Sequence, residues 1–419
     1  MRFQTLEDWL NWQQALHPHT IELGLERVSQ VAKRLDLTRP PHRIITVAGT
    51  NGKGSSVAML ESILIEAGYN VGSYTSPHLL RYNERVRVQR EAASDDTLCQ
   101  AFAQIDTARG ATTLSYFEFG TLAAMTIFAQ SRLDVAILEV GLGGRLDAVN
   151  VQDPDVAVIT SIDLDHTEWL GTDREAIGFE KAGIMRPYAP AVCGDPDPPA
   201  SIAAHATEIN ARLYQLGPDF SYRREERGWA WRTENLEYGQ LPLPALEGEI
   251  QLQNASSVLM SLSLLRNQLP IDENHVRAGL RRVTLAGRFQ RLPGPVETIV
   301  DVAHNPAGAK VLASTLRAMP TAGRTLAVFA VLADKDAASM VAAIEDLVDR
   351  WYLAPNHSER ALPVDELRAL FRARFDRSIR CFDSVAQAYY AACDAARADD
   401  RVVVFGSAFT VAEVLALHV

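Results

Sequence analysis

Between residues 42 and 185 the chain alternates short apolar runs with longer stretches of helical pattern. The runs Arg43 to Ala48, Asn70 to Thr75, Asp134 to Val140 and Asp155 to Ser161 read as strands. Strands alternating with helices predict a mainly parallel sheet covered by helices on both faces. Ligands of such sheets gather at the carboxyl ends of the strands, so residues just past each run are the first candidates for chemistry. From Gly194 to Pro244 the sequence is more polar and carries prolines. Trp229 and Trp231, in alternating surroundings, predict short antiparallel strands there, expected as an edge extension of the sheet.

After Arg288-Phe289-Gln290 comes Leu292-Pro293-Gly294-Pro295, a stiff break that predicts a domain hinge. Beyond it Val296 to Val302, Thr325 to Val331, Trp351 to Ala354 and Arg401 to Phe405 read as four further buried strands with helices between them. The expected fold class is therefore α/β, with a larger sheet domain over 1–290 and a smaller α/β domain over 291–419. No fixed-period repeat or low-complexity tract is visible, which argues against a solenoid or a disordered scaffold.

A length of 419 residues exceeds what one core normally supports, and a hydrophobic fraction of 47% is that of a soluble globular enzyme. The formal net charge of -11 argues against a general nucleic-acid binder, because neutralising a phosphate backbone needs a basic face. Any anionic ligand must be held locally. The N-terminal Met1-Arg2-Phe3-Gln4-Thr5-Leu6-Glu7-Asp8 lacks the cationic and apolar regions of a signal peptide, and no apolar run approaches membrane-spanning length. A cytoplasmic protein with no membrane partner is expected. Cys99, Cys193, Cys381 and Cys393 are scattered without a C-x-x-C pair, as expected of reduced thiols rather than zinc ligands or disulfides.

The sharpest chemical signal is Ile44-Ile45-Thr46-Val47-Ala48-Gly49-Thr50-Asn51-Gly52-Lys53-Gly54-Ser55-Ser56. An apolar strand runs into a glycine-rich turn with one lysine, and a helix begins near Ser55. Glycines 49, 52 and 54 let backbone N–H groups approach phosphate oxygens, the helix adds its positive end, and Lys53 supplies a point charge. The common G-x-x-x-x-G-K-[ST] pattern is not met, since Val47 and Gly54 occupy two of its places. With Gly54 after the lysine, the hydroxyl that usually reaches magnesium must come from elsewhere, and Ser76 in Tyr74-Thr75-Ser76-Pro77-His78-Leu79 is the candidate.

Glu139, near the end of its strand, suits magnesium, which takes one or two carboxylates plus phosphate oxygens. His166 follows the neighbouring strand, in Ile162-Asp163-Leu164-Asp165-His166-Thr167. Lys181, in Glu180-Lys181-Ala182-Gly183, reads by default as a solvated helix lysine, yet a buried lysine loses its proton readily and can take up carbon dioxide as a carbamate. Asp301-Val302-Ala303-His304-Asn305-Pro306 sets an acid, an imidazole and an amide at a strand end before a helix opened by proline, with Asn305 also fit to be its N-cap.

Together these segments resemble the ATP-dependent Mur ligase superfamily and, within it, the bacterial dihydrofolate synthase/folylpolyglutamate synthase family. The resemblance runs from His19-Thr20-Ile21-Glu22-Leu23-Gly24-Leu25-Glu26-Arg27-Val28 through Val47 to Ser55, Ser76 to Val86, Tyr116-Phe117-Glu118, Leu138 to Asp147, Asp165-His166-Thr167, Glu180 to Gly183 and Gly287 to Gln290, to Asp301 to Pro306. It implies a P-loop NTPase-like central domain followed by a Rossmann-like glutamate ligase domain. Thr50, Asn51, Gly52 and Lys53 are then the triphosphate loop, and Ser76, Glu139 and His166 the magnesium ligands. Asn254, Arg288 and Asp301 resemble nucleotide contacts. Glu22, Leu23 and Gly24, with Ser115, Tyr116, Phe117 and Glu118 and with Leu146, Asp147 and Ala148, resemble the pterin-side site. Lys181 matches a lysine carbamylated in this superfamily, and His304 and Ser407 fall where the incoming glutamate sits. Related bacterial enzymes often carry a histidine near Gly406 to Thr410 and another before Asp334, where this chain has Ala333.

The activity so implied is ATP- and Mg2+-dependent addition of L-glutamate to 7,8-dihydropteroate, then of further glutamates to reduced folates, through an acyl phosphate. A monovalent cation belongs to the same expectation, as does a monomer with closure of two domains about the hinge near Pro293. The alternatives are folylpolyglutamate synthesis alone or another Mur-type ligase. A catalytically dead folate-binding protein is disfavoured by the presence of Lys53, Glu139 and His166.

Overall fold

The computed structural model describes residues 1–18, 22–375 and 379–419. His19, Thr20 and Ile21, which head the first segment of the resemblance, lie outside the described residues. The chain forms two compact units. One comprises Met1–Pro77, Tyr82–Ala245 and Gln251–Val283, and the other His78–Arg81, Leu246–Ile250 and Thr284–Val419.

In the first unit β1 (Arg43–Ala48), β2 (Val71–Tyr74), β3 (Val86–Val88), β4 (Glu91–Ala92), β5 (Val135–Glu139), β6 (Val156–Ile159), β7 (Pro190–Cys193) and β8 (Arg212–Gln215) make one sheet. Its order is β4-β3-β2-β5-β1-β6-β7-β8. The strands from β2 to β8 in that order are parallel, and only β3 and β4 run against their neighbours. Ile45 and Val47 of β1, like Ala136 and Ile137 of β5, are buried, because strands apolar on both faces must be covered by helices on both. The helix Lys53–Glu66 buries Val57, Leu60, Ile63 and Leu64, and the helix Tyr116–Gln130 buries Phe119, Leu122, Ala123 and Phe128. Parallel pairing brings the carboxyl ends of β2, β5, β1 and β6 to one edge, from which Thr75, Val140, Gly49 and Thr160 all emerge.

β9 (Phe220–Glu225), β10 (Gly228–Thr233) and β11 (Glu237–Leu241) form a separate three-stranded antiparallel sheet, not the expected edge extension. The extension is β8 instead. Trp229 and Trp231 point from the same side of β10 and are fully buried, and Trp231 Nε1 donates to the Ser256 carbonyl of the helix Ile250–Leu264 at 3.1 Å. Burying two indoles on one face commits this strand to packing of its own.

The second unit holds β12 (Gln290–Leu292), β13 (Glu297–Asp301), β14 (Thr325–Phe329), β15 (Arg350–Leu353), β16 (Ile379–Cys381) and β17 (Arg401–Phe405), in the order β12-β13-β17-β14-β15-β16. All neighbours are parallel except β12, which pairs with β13 in a hairpin, Leu292 opposite Thr298. Pro293-Gly294-Pro295, expected as a hinge, is the turn of that hairpin, where fixed φ and missing N–H groups do no harm. For the same reason the second unit takes in β12 and begins at Thr284, earlier than the expected division after residue 290. Its core packs Phe329 against Phe405 at a tilt and Trp351 against Phe371 edge to face, each with ring centroids 4.9 Å apart.

Among the described residues no helix is long and apolar enough to cross a membrane. All four cysteines are free, Cys99 and Cys193 buried and Cys381 and Cys393 half-buried.

Candidate active site

The glycine-rich turn leaves β1 and enters the helix Lys53–Glu66, whose N-cap is Gly52 at φ +86°. A Cβ on Gly49, at φ +151°, would fall 1.8 Å from Thr160 Oγ1, and one on Gly52 would fall 2.5 Å from Asn254 Oδ1. Both positions therefore require glycine, and both show the loop pressed into its surroundings. Thr160 Oγ1 donates to the Asn51 carbonyl at 2.6 Å and Ser161 Oγ to the same oxygen at 3.1 Å, while the Thr50 amide donates to the Ser161 carbonyl at 2.6 Å. Thr50 Oγ1 donates to the Asp163 carbonyl at 3.0 Å and takes the Asp163 amide in return. The loop is thus stapled to the end of β6. Lys53 Nζ curls back onto the carbonyls of Gly49 and Thr50 at 2.9 and 3.1 Å, which sets its charge at the helix N-terminus. Buried Asn254 rests on Gly52 with its Nδ2 donating to Gln251 Oε1 at 3.0 Å. Glycine-lined backbone, a helix N-terminus and one lysine suit a polyphosphate.

Of the expected metal ligands, Glu139 ends β5 and is buried, and the Ser76 amide donates to its Oε2 at 3.3 Å. His166 lies beyond β6, half-exposed, with φ +52° at the head of the short helix Thr167–Leu170. Its backbone N–H donates to Asp165 Oδ1 at 2.9 Å. Among the described residues no three His, Cys, Asp or Glu gather as a metal site. A divalent ion here must complete its shell with hydroxyl and phosphate oxygens, which fits magnesium rather than zinc.

Two buried titratable groups face Lys53. Lys181, near the end of the helix Arg174–Ala182, has its pKa lowered to about 7 by burial first and by the Lys53 charge next, with Asp165 and Asp147 opposing. Burial raises the Asp147 pKa to about 6 even though the amides of Leu142, Val149 and Gly141 donate to it and Lys53 attracts it. The structure therefore places Asp147, grouped in the sequence with pterin contacts, within the electrostatic reach of Lys53 and Lys181.

The segments expected on the pterin side meet as well. The Gly24 amide donates to the Leu146 carbonyl at 3.3 Å, tying 22–24 to 146–148. Buried Ala148 follows the Asp147 N-cap of a short turn of helix. Ser115 opens the helix Tyr116–Gln130 with a capping box: the Glu118 amide donates to Ser115 Oγ, and the Ser115 amide to Glu118 Oε2. The Phe117 ring lies over Gly141 and the Tyr116 ring beneath the Arg85 guanidinium, 5.6 Å from its centroid. Glu22 carries no cap. It binds His17 Nε2 at 2.6 Å and Arg27, and the His17 hydrogen bond, aided by the Arg27 charge, holds its carboxyl below the usual range against the effect of burial.

In the second unit Asp301 ends β13. Its oxygens accept the amides of Phe289 and Ala303, both at 2.8 Å, and burial raises its pKa against the Arg288 charge. His304 Nδ1 lies 2.9 Å from the Val302 carbonyl, and Asn305 caps the helix Pro306–Ala318. The Gly406 amide donates to the Ala303 carbonyl, which brings Ser407 beside this corner. The Ser407 hydroxyl is buried, capping the helix Ala408–Leu415 and accepting Asn356 Nδ2 at 3.2 Å.

Sequence reasoning missed Thr160, Asp165, Arg27 and Arg85 as parts of these clusters. Thr160 and Arg27 act across 109 and 91 residues of chain, a pairing no local pattern signals. Arg27, Arg85 and Asp165 do stand inside segments of the resemblance, which was the available clue.

Residues 47–240 match the model of the Mur ligase middle domain, and residues 287–408 that of the Mur ligase glutamate ligase domain. The chain is 47% identical to the dihydrofolate synthase/folylpolyglutamate synthase of Escherichia coli K12, over 98% of this chain and 94% of that protein. It is similar, at TM-score 0.94 and 46% identity over 99% of this chain and 98% of the other, to Escherichia coli FolC solved in complex with DHPP and ADP. A bifunctional folylpolyglutamate synthase/dihydrofolate synthase solved with Mn, AMPPNP and L-glutamate bound matches at TM-score 0.92 and 46% identity, over 99% and 98% of the two chains. With both domain models on one chain and near-complete coverage of such relatives, the chain belongs to the dihydrofolate synthase/folylpolyglutamate synthase family of Mur ligases.

Proposed function

We propose that the chain is an ATP-dependent amide ligase that joins L-glutamate to 7,8-dihydropteroate and then adds glutamates to reduced folates. The observation that carries this reading is the loop Gly49–Lys53 with Lys181 and Asp147 around its lysine, in a chain 47% identical to a bifunctional synthase over nearly its whole length.

Lys53 and the N-terminus of its helix hold the β- and γ-phosphates and stabilise charge on the transferring oxygens. Ser76, Glu139 and His166 would hold magnesium, which when bound neutralises phosphate charge. The acceptor carboxylate, placed by Glu22 to Gly24, Ser115 to Glu118 and Leu146 to Ala148, attacks the γ-phosphorus and ADP departs. The α-amine of glutamate attacks the resulting acyl carbon, and inorganic phosphate leaves. His304, whose Nδ1–H donates to the Val302 carbonyl, is assigned to the incoming glutamate as a catalytic residue. Ser407 is assigned to the glutamate side, and Asn254, Arg288 and Asp301 to the nucleotide. Lys181, with its pKa brought down to about 7, is about half deprotonated at neutral pH and so fit to carry a carbamate. A cytoplasmic monomer without a nucleic-acid partner completes the reading, in keeping with the net charge of -11.

The test is ADP release with glutamate present, comparing dihydropteroate, tetrahydrofolate and a muramyl-peptide nucleotide. Stimulation by both pteridines is expected. Stimulation by tetrahydrofolate alone reduces the function to polyglutamylation, and stimulation by the muramyl compound alone overturns it.

A further inference from the structure

Arg27 belongs to no set of residues assigned above, yet it joins two of them. It sits in the first turn of the helix Glu26–Arg34, and its guanidinium reaches both Glu22, five residues away, and Glu118, 91 residues away. Nε and Nη2 donate to Glu118 Oε2 and Oε1 at 3.4 and 3.1 Å. Nη2 also donates to the Glu22 carbonyl at 3.2 Å, and Nη1 to Glu22 Oε1. Glu118 is 3% exposed and already accepts the Ser115 amide at 2.7 Å. On the other side Glu22 Oε2 bonds His17 Nε2 at 2.6 Å, and His17 Nδ1 lies 3.1 Å from Thr113 Oγ1. The hydrogen bonds run from Thr113 through His17, Glu22 and Arg27 to Glu118 and Ser115, and the chain from Thr113 to Ser115 closes the ring.

We infer that Arg27 is a positioning residue for the pteridine acceptor, latching the Glu22–Gly24 segment to the Ser115–Glu118 turn. The inference rests on the proposed function, in which both segments hold that acceptor. Arg27 acts through them. Three separated nitrogens of one planar fork make four donations to a carbonyl and two carboxylates, which the three donors on the single nitrogen of an ammonium cannot reproduce. A shift of the order of 1 Å between the two segments is then expressed as lost acceptor binding.

Arg27→Lys is expected to raise the KM for dihydropteroate about ten- to a hundredfold, with the KM for ATP and for glutamate within about twofold of wild type. Arg27→Gln should give the same split and serves if the lysine variant folds poorly. Arg34→Met is the control. Arg34 donates to the carbonyls of Ala108 and Arg109 at 3.0 and 2.8 Å from the same helix, so its loss should lower Tm without moving the dihydropteroate KM. An unchanged dihydropteroate KM in both Arg27 variants, or an equal rise for all three substrates, overturns the inference. Failure of wild type to release ADP with either dihydropteroate or tetrahydrofolate would instead sink the proposed function.

Discussion

Lys181→Met replaces a buried ammonium by a thioether of similar length, and its effect should depend on pH in one direction. Burial and the Lys53 charge bring the Lys181 pKa down from an ordinary 10.5 to about 7. Below pH 7 the folded chain carries the buried cation and bears its full cost. Between pH 7 and 10.5 the unfolded chain holds a proton that the folded chain lacks, so wild-type stability climbs with pH by about 1.4 kcal/mol per unit. From pH 7 to about pH 9.5 this amounts to roughly 3 kcal/mol. The variant has no such slope, and the titrations of groups that do not interact with Lys181 cancel in the difference between the two proteins, whereas Lys53, Asp147 and Asp165 do interact with it. The assay is urea unfolding of both proteins, followed by tryptophan fluorescence in carbon-dioxide-free buffer at the two pH values. The advantage of Lys181→Met over wild type should shrink by about 3 kcal/mol on going to the higher pH. A difference that stays constant refutes the reasoning, because it means Lys181 titrates normally. Bicarbonate added near neutral pH should then stabilise wild type but not Lys181→Met if the neutral amine takes up carbon dioxide.

Three further outcomes are expected. Lys53→Ala loses charge stabilisation at the transferring phosphoryl group, so ADP release should fall about 10²–10³-fold while circular dichroism is unchanged; normal turnover would remove the loop from the mechanism. Gly49→Ala drives a methyl into Thr160 Oγ1, 1.8 Å away, and should cost at least about 1–3 kcal/mol of stability together with nucleotide affinity, read by thermal shift with and without ADP. Asp400, held well below the usual carboxylate range first by its hydrogen bond from Arg324, contributes stability above pH 4 that is lost as pH falls further. Asp400→Asn should therefore cost about 1–3 kcal/mol at neutral pH and much less in acid, which paired denaturation curves at the two pH values would show.

What could be read from the chain in advance divides along physical lines. Strands buried on both faces announce themselves: Arg43 to Ala48 and Arg401 to Phe405 coincide with β1 and β17, because continuous apolar runs have no other stable place. β3 and β4 escaped notice since Arg87, Gln89 and Arg90 interrupt the apolar positions on an antiparallel rim only a few residues long. The proline turn at 293–295 misled for a reason of principle: proline and glycine mark a reversal, and local sequence does not say whether a hairpin or a domain boundary follows. The same limit governs the site. Gly49, Gly52 and Lys53 predict a phosphate loop by local spacing alone. Their rigidity, though, comes from Thr160 and Ser161 at the end of another strand, and the acidity of Lys181 from burial beside Lys53. Groups that do the chemistry can be read one at a time. The groups that tune and hold them depend on which strand ends the sheet order makes neighbours, and that order, with β5 and β6 flanking β1, is a property of the folded sheet.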